Sequence, residues 1–186
     1  RRWNARWIWA ADNPQARNSY WLFRRELILN DLPAGARLFL SADTRYQLYI
    51  NGRFIGRGVP QSAPYLQYYD EREVSSDLRE GRNCIGVIVN YVGNIPDTRG
   101  GLLLEMTDES HETILRTDQT WRVVQSNAWK QDTHMYGSNQ RTPYQEMHDG
   151  RRLPDSWNQP GFDDSTWEAA SIVSGRISPR PPAAGP

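Results

Sequence analysis

Tyr46-Gln47-Leu48-Tyr49-Ile50-Asn51-Gly52-Arg53-Phe54-Ile55-Gly56 is the stretch whose reading decides the fold. Between Tyr46 and Ile50 the side chains alternate every second residue, the period of a strand with one buried face. Asn51-Gly52 then supplies a hairpin turn, because both central residues of a type I′ turn need positive φ and these two tolerate it best. The strand resumes over Arg53-Phe54-Ile55-Gly56. No long stretch of the chain repeats apolar residues at helical spacing.

The same pattern extends in both directions. Arg37 to Ala42 reads as the strand before the hairpin, and Tyr20 to Leu29 as an earlier one. Asp77 to Asn83 reads as a turn or a single helical turn. It leads into Cys84-Ile85-Gly86-Val87-Ile88-Val89, a continuous apolar run suited to a strand covered on both faces. Gly101 to Met106, Glu112 to Arg116 and Arg122 to Gln125 complete the set. Many short strands with Gly and Pro punctuation predict an all-β chain, a sandwich of jelly-roll type. One β-sandwich domain is expected over residues 1–175. Residues 176–186 hold Pro179, Pro181, Pro182 and Pro186 with little apolar material, and read as a linker or tail.

Composition narrows the function. The 186 residues include 22 basic and 22 acidic side chains, a formal net charge of zero, which lacks the basic footprint of a phosphate-tracking nucleic-acid binder. All basic residues but Lys130 are arginine, a side chain that stacks on aromatic rings and binds oxyanions in a fixed fork. Trp (8) and Tyr (9) outnumber Phe (4), so the aromatic surplus carries polar handles. No apolar run approaches the roughly 20 residues that span a bilayer, so no membrane partner is expected. The chain opens Arg1-Arg2-Trp3 without Met and reads as a processed or excised piece. Its single Cys84 excludes an internal disulfide and, within an apolar run, reads as a small core hydrophobe.

Larger landmarks follow in order. Ala5-Arg6-Trp7-Ile8-Trp9 precedes Phe23-Arg24-Arg25-Glu26-Leu27, then Ser41-Ala42-Asp43 and the hairpin, then Tyr69-Asp70 ahead of Leu78-Arg79-Glu80-Gly81-Arg82-Asn83. Thr117-Asp118-Gln119-Thr120-Trp121, Gln145 to Arg151, and Ser156 through Phe162-Asp163-Asp164-Ser165-Thr166-Trp167 close the series. This ordered set resembles the N-terminal β-sandwich region of bacterial α-L-rhamnosidases, a galactose-binding-like jelly roll, over the chain to about Ala170. Where the resemblance leads one to expect Tyr-Asp-Ala-Arg, this sequence has Met147-His148-Asp149-Gly150-Arg151. The resemblance implies an accessory or carbohydrate-binding module, with the catalytic carboxylates in a separate helical barrel that would be its partner. It further implies rhamnose-containing or related glycans as ligands, an extracellular or periplasmic location, and calcium as an occasional aid to binding. A docking domain that packs against the barrel, and a stand-alone lectin-like protein, are the alternatives.

A sugar site needs an aromatic platform for the C–H face of the ring and planar polar groups for its hydroxyls. Three loop-like stretches offer both. They nominate Tyr91, Trp129 or Tyr136 as the platform, and Asn94, Asp97, Glu146, Asp149 and Arg151 as hydroxyl partners. Asp97, Glu146 and Asp149 are also the calcium candidates, since that ion takes six to eight oxygens. Asp163-Asp164 reads instead as a turn closed by side-chain hydrogen bonds, with Trp167 anchored beneath it. Trp7, Trp9, Trp121, Trp157 and Trp167 read as sandwich anchors. Asp43, Asn51 and Gly52 read as folding residues at strand ends. His111, His134 and His148 lack zinc-site spacing, and no nucleophile elbow or phosphate loop is present.

Overall fold

The computed structural model describes residues 1–12, 15–59, 63, 65–94, 98–135 and 144–182. Tyr136, Asp97 and the last four residues lie outside that set. Among the described residues twelve strands form two antiparallel sheets of six. They are β1 (Ile8–Trp9), β2 (Ser19–Leu29), β3 (Arg37–Asp43), β4 (Arg45–Ile50), β5 (Arg53–Gly58), β6 (Asp70–Glu73), β7 (Gly81–Tyr91), β8 (Gly101–Thr107), β9 (Thr113–Arg116), β10 (Arg122–Gln125), β11 (Glu168–Ala169) and β12 (Ser171–Ile172). One sheet runs β12-β1-β8-β3-β6, with β9 also on β8; the other runs β11-β10-β2-β7-β4-β5. The chain is an all-β jelly-roll sandwich.

The hairpin forms as its sequence dictates. Asn51 and Gly52 take φ of 52° and 83°, and β4 pairs with β5 around them. Asn51 does more than turn the chain. Its side-chain oxygen accepts from the Cys84 amide at 2.9 Å, and its amide donates to Asn83 and Asp77. These bonds fix the hairpin against β7.

Alternation along β7 then builds two cores. Ile85, Val87, Val89 and Tyr91 face the space between the sheets, where they meet Trp9, Trp21, Phe23, Leu38, Leu40, Leu48, Leu102, Leu104 and Trp121. A fully buried side chain of this size contributes roughly 1.5–3 kcal/mol. Ile88 faces the opposite way, with Leu22 beside it, under a cover of Trp129, Trp157 and Trp167. The stretch after β10 therefore folds over the outer face of its sheet. Arg24, on that face, is 1% exposed and is held by the Trp157 and Gln159 carbonyls, Glu26 and Asp164. The Asp163 carboxylate caps the Ser165 amide at 3.0 Å, as the turn reading requires.

The other sheet's outer face is covered from both chain ends. Trp3, Ala5 and Trp7 pack on Leu103, and the buried Glu105 accepts from Arg1 and the Asn4 and Ala5 amides. Residues 176–182, which composition reads as linker, return over this side. The Trp7 indole donates to the Ile177 carbonyl, and Arg180 bonds with Gln67 and Tyr69. Backbone hydrogen bonds and one arginine hold a stretch that has little apolar surface of its own.

Two short elements escape the sequence pattern. The β6 residues Asp-Glu-Arg-Glu show no apolar alternation, yet they pair with β3 at the sheet edge, where charge resists pairing with further chains. The turn expected over Asp77 to Asn83 begins earlier, as a 3-10 turn at Ser75–Asp77.

Candidate functional site

Asp43 ends β3, and at that end of the sandwich it meets the residues before β8 and after β12. Its Oδ2 accepts from Arg176 Nη2 at 3.0 Å, and its Oδ1 accepts from the Thr44 hydroxyl at 3.2 Å. The Arg176 guanidinium lies 4.1 Å from the centre of the Trp7 ring and donates through Nη1 to the Arg99 and Gly100 carbonyls. Backbone approaches closely here because Gly100 and Gly101 allow it. A Cβ on Gly100 would fall 2.2 Å from Trp9, and one on Gly101 would fall 2.9 Å from Arg176.

Asp43, Arg99 and Arg176 line a pocket of about 340 Å³ with Gln67, Thr98, Ser174, Gly175 and Ile177. Gln67 is 5% exposed, yet its Oε1 has no hydrogen-bond partner; the Arg176 Nε is likewise buried and unpartnered. An unmade hydrogen bond on a buried polar atom costs about 1–3 kcal/mol, so both atoms lie closed in the pocket wall at a cost to stability. Burial raises the Asp43 carboxyl above its ordinary range against the pull of Arg176, and burial lowers the Arg176 guanidinium against the pull of Asp43. Asp43 and Arg176 thus set a carboxylate and a guanidinium side by side at one small polar pocket.

The residues nominated from sequence are placed differently. Tyr91 is a correction: it keeps the inward parity of β7, is 4% exposed, packs edge-on to Trp9 and donates its hydroxyl to the Thr98 carbonyl. It supports the pocket's wall and has no ring face for a sugar. Asn94 is half-buried just after β7. Asp97 and Tyr136 lie outside the described residues.

Trp129, Glu146 and Asp149 do come together. Trp129 stacks on Tyr20 at 4.5 Å and on His148 at 4.3 Å, and two rings that close cannot share one face. Both faces of Trp129 are therefore taken, which corrects its reading as an open platform; the outermost ring is the exposed His148. The Trp129 Nε1 donates to Glu146 Oε1 at 2.8 Å. Asp149 accepts from Arg151 Nε at 2.9 Å and Nη2 at 3.0 Å, and these bonds hold its carboxyl below the ordinary range. Asp149 and Arg151 thus satisfy each other at the edge of an open groove of about 610 Å³ along Trp129 and His148.

Of the calcium candidates, Glu146 and Asp149 are among the described residues and Asp97 is not. Among the described residues no three His, Cys, Asp or Glu side chains converge. Glu146 is committed to Trp129, Asp149 to Arg151, and Asp43 faces a guanidinium where a cation would stand.

The end pocket has no local signature in the sequence, where Asp43 reads as a folding residue at a strand end. Its parts come from four distant segments, and only the Gly100-Gly101 pair ahead of an apolar strand signals a close backbone approach.

Comparison with known proteins adds an independent line. The family described as "Alpha-L-rhamnosidase N-terminal domain" matches residues 32–181. An α-L-rhamnosidase of Streptomyces avermitilis is 29% identical over 154 residues, covering 72% of this chain and 14% of that protein. The crystal structure of a GH78 family rhamnosidase of Bacillus sp. GL1 superimposes with a TM-score of 0.83 at 33% identity, over 93% of this chain and 18% of that one. A lectin of Pleurotus ostreatus shares the fold at 20% identity and a TM-score of 0.58, over 91% of this chain and 41% of that one. The chain thus spans under a fifth of each of these two rhamnosidases.

Proposed function

Since the chain belongs to the α-L-rhamnosidase N-terminal domain family, we propose that it is a non-catalytic, sugar-binding accessory module of a larger α-L-rhamnosidase-like glycoside hydrolase. The observation that carries this reading is the end pocket, where the Asp43 carboxylate and the Arg176 guanidinium meet beside Gln67. A sugar hydroxyl is donor and acceptor at once. Sugar hydroxyls donate to the Asp43 carboxylate and accept from the Gln67 side-chain amide, and Arg176 holds that carboxylate in place. The module's partners are a rhamnose-containing or related glycan and the catalytic domain of the parent enzyme. The location that goes with this role is extracellular or periplasmic. Binding proceeds without a cation, because Arg176 supplies the positive charge beside Asp43. Few contacts in a small pocket must offset the cost of ordering the ligand, so affinity is weak.

The test is an NMR titration of the 186-residue chain with methyl α-L-rhamnoside and methyl β-D-galactoside, in calcium and in EDTA. The Gly100 and Gly101 amides and the Gln67 side-chain amide should shift with at least one sugar, equally in both buffers. Gln67→Leu should abolish the response. Silence of those signals toward both sugars overturns the reading.

A further inference from the structure

A second pocket lies on the outer face of the β2-β7-β4-β5 sheet. Register alone puts its residues together. Tyr20 of β2 pairs with Asn90 of β7, and Asn90 pairs with Arg45 of β4. Two residues along, Leu22 pairs with Ile88, Ile88 with Gln47, and Gln47 with Arg57 of β5. Residues directly opposite in a sheet share a face, so an apolar floor at Ile88 is ringed by Tyr20, Asn90, Arg45, Gln47 and Arg57. Glu146 closes the side nearest Tyr20, and the space enclosed is about 290 Å³.

The polar groups are sorted by charge. Arg45 and Arg57 are exposed and form no ion pair among the described residues, whereas most other arginines near an acid are engaged. The Tyr49 hydroxyl donates to Gln47 Oε1 at 3.0 Å, which leaves the Gln47 NH₂ to donate into the pocket. Three donors therefore gather on β4 and β5. Acceptors complete the ring: Trp129 holds Glu146 at the Tyr20 side, and Asn90, directly opposite Arg45, anchors its NH₂ on the Ser19 carbonyl and leaves its oxygen to the pocket. Adjacent strands are about 4.8 Å apart, so Arg45 and Asn90 stand one strand step from each other. Burial and the Glu146 charge push the Tyr20 hydroxyl up to about 12, so it stays a neutral ring with a donor. Trp129 stacks behind that ring and leaves its remaining surface to the pocket.

We infer that this pocket binds an acidic monosaccharide unit, a uronate, separately from the end pocket. The carboxylate lies between Arg45, Arg57 and the Gln47 NH₂, where guanidinium forks and an amide suit its two oxygens. The ring rests on Ile88 and Tyr20, and its hydroxyls meet Asn90 and Glu146. A neutral hexose has the same ring but leaves the two arginines without a partner.

The experiment titrates the 186-residue chain with methyl β-D-glucuronide and with methyl β-D-glucoside, which differ only in the oxidation of C6. The glucuronide should shift the Gln47 side-chain amide and the β4 and β5 amides with at least tenfold tighter binding than the glucoside. Raising the salt from 50 to 500 mM should weaken it several-fold. Arg45→Gln and Arg57→Gln should each reduce glucuronide binding, and the double variant should abolish it, while Gln67→Leu leaves it unchanged. Equal response to both glycosides, response at Gly100 and Gly101 alone, or no response to the glucuronide overturns the inference. The last result would instead suit a pocket that clasps an acidic side chain of the catalytic domain. In each case the rhamnoside test at Gln67 stands or falls by itself.

Discussion

Asp43 and Arg176 lie 133 positions apart in sequence and meet at 3.0 Å, with their side chains 11% and 6% exposed. Removing one member strands the other. Arg176→Leu leaves a carboxylate buried without its partner, at a cost of roughly 3–5 kcal/mol. In a chain of this length that lowers the melting temperature by roughly 6–15 °C. The double variant Asp43→Asn with Arg176→Leu should recover at least half of the loss. A single variant that melts within a degree of the parent would show that the pair closes nothing.

Arg24 is a polar anchor of the second core. Its guanidinium ties β2 to the carbonyls of Trp157 and Gln159 and to Asp164, all in the stretch that covers the sheet. Arg24→Met keeps much of the side-chain volume and removes every one of these bonds. Amide exchange at residues 157–167 should then accelerate by at least a hundredfold, while β7 and β8 amides keep their protection. Uniform acceleration in all three regions would mean that the cover and the sandwich unfold as one unit.

What was legible in the sequence was local. Asn51-Gly52 announced its turn because positive φ is a property of those two residues, and β10 ran over Arg122 to Gln125 as its alternation indicated. Tyr91 was misread because Gly93, Asn94 and Pro96 behind it look like an exposed loop. The inward sequence Ile85, Val87, Val89 continues to residue 91 at the same period and carries the correct signal. Trp129 looked open because nothing in the chain near it says that Tyr20 and His148 will stack on it. The end pocket is the limiting case. Gln67 sits in a stretch with no period at all, and its meaning arises only when Asp43, Gly100 and Arg176 arrive from elsewhere.

Trp129 separates stability from binding. Trp129→Ala removes a ring packed on both faces and should cost about 3–5 kcal/mol, read by chemical denaturation. Sugar titration of the folded variant at low temperature should still shift Gly100 and Gly101 as in the parent. Loss of that response would place the sugar on the Trp129 side and remove the end pocket from the proposal.

Cys84 should be chemically silent. It is fully buried beside Arg24, and burial pushes its thiol up to about 11 in spite of the nearby guanidinium. The thiolate is the reactive form, so at pH 8 the native chain should react with an aromatic disulfide reagent at least a hundredfold more slowly than the urea-unfolded chain. Comparable rates in the two states would contradict both the burial and the shift.

Glu26 gives the chain an acid-sensitive clamp. Burial raises its carboxyl, but hydrogen bonds from Arg24, the Gly161 amide and Arg82 outweigh that and hold it below its ordinary value. A carboxyl whose folded value is depressed contributes stability that is present above its unfolded value, about 4.3, and lost as pH falls through the lower folded value. Glu26→Gln keeps the shape and removes the titration. The variant should melt below the parent at pH 7, and the gap should narrow steadily as the pH falls below about 4.5. Melting curves recorded from pH 3 to pH 7 decide the matter: a gap that stays constant across this range would assign the clamp's stability to geometry rather than to the charge on Glu26.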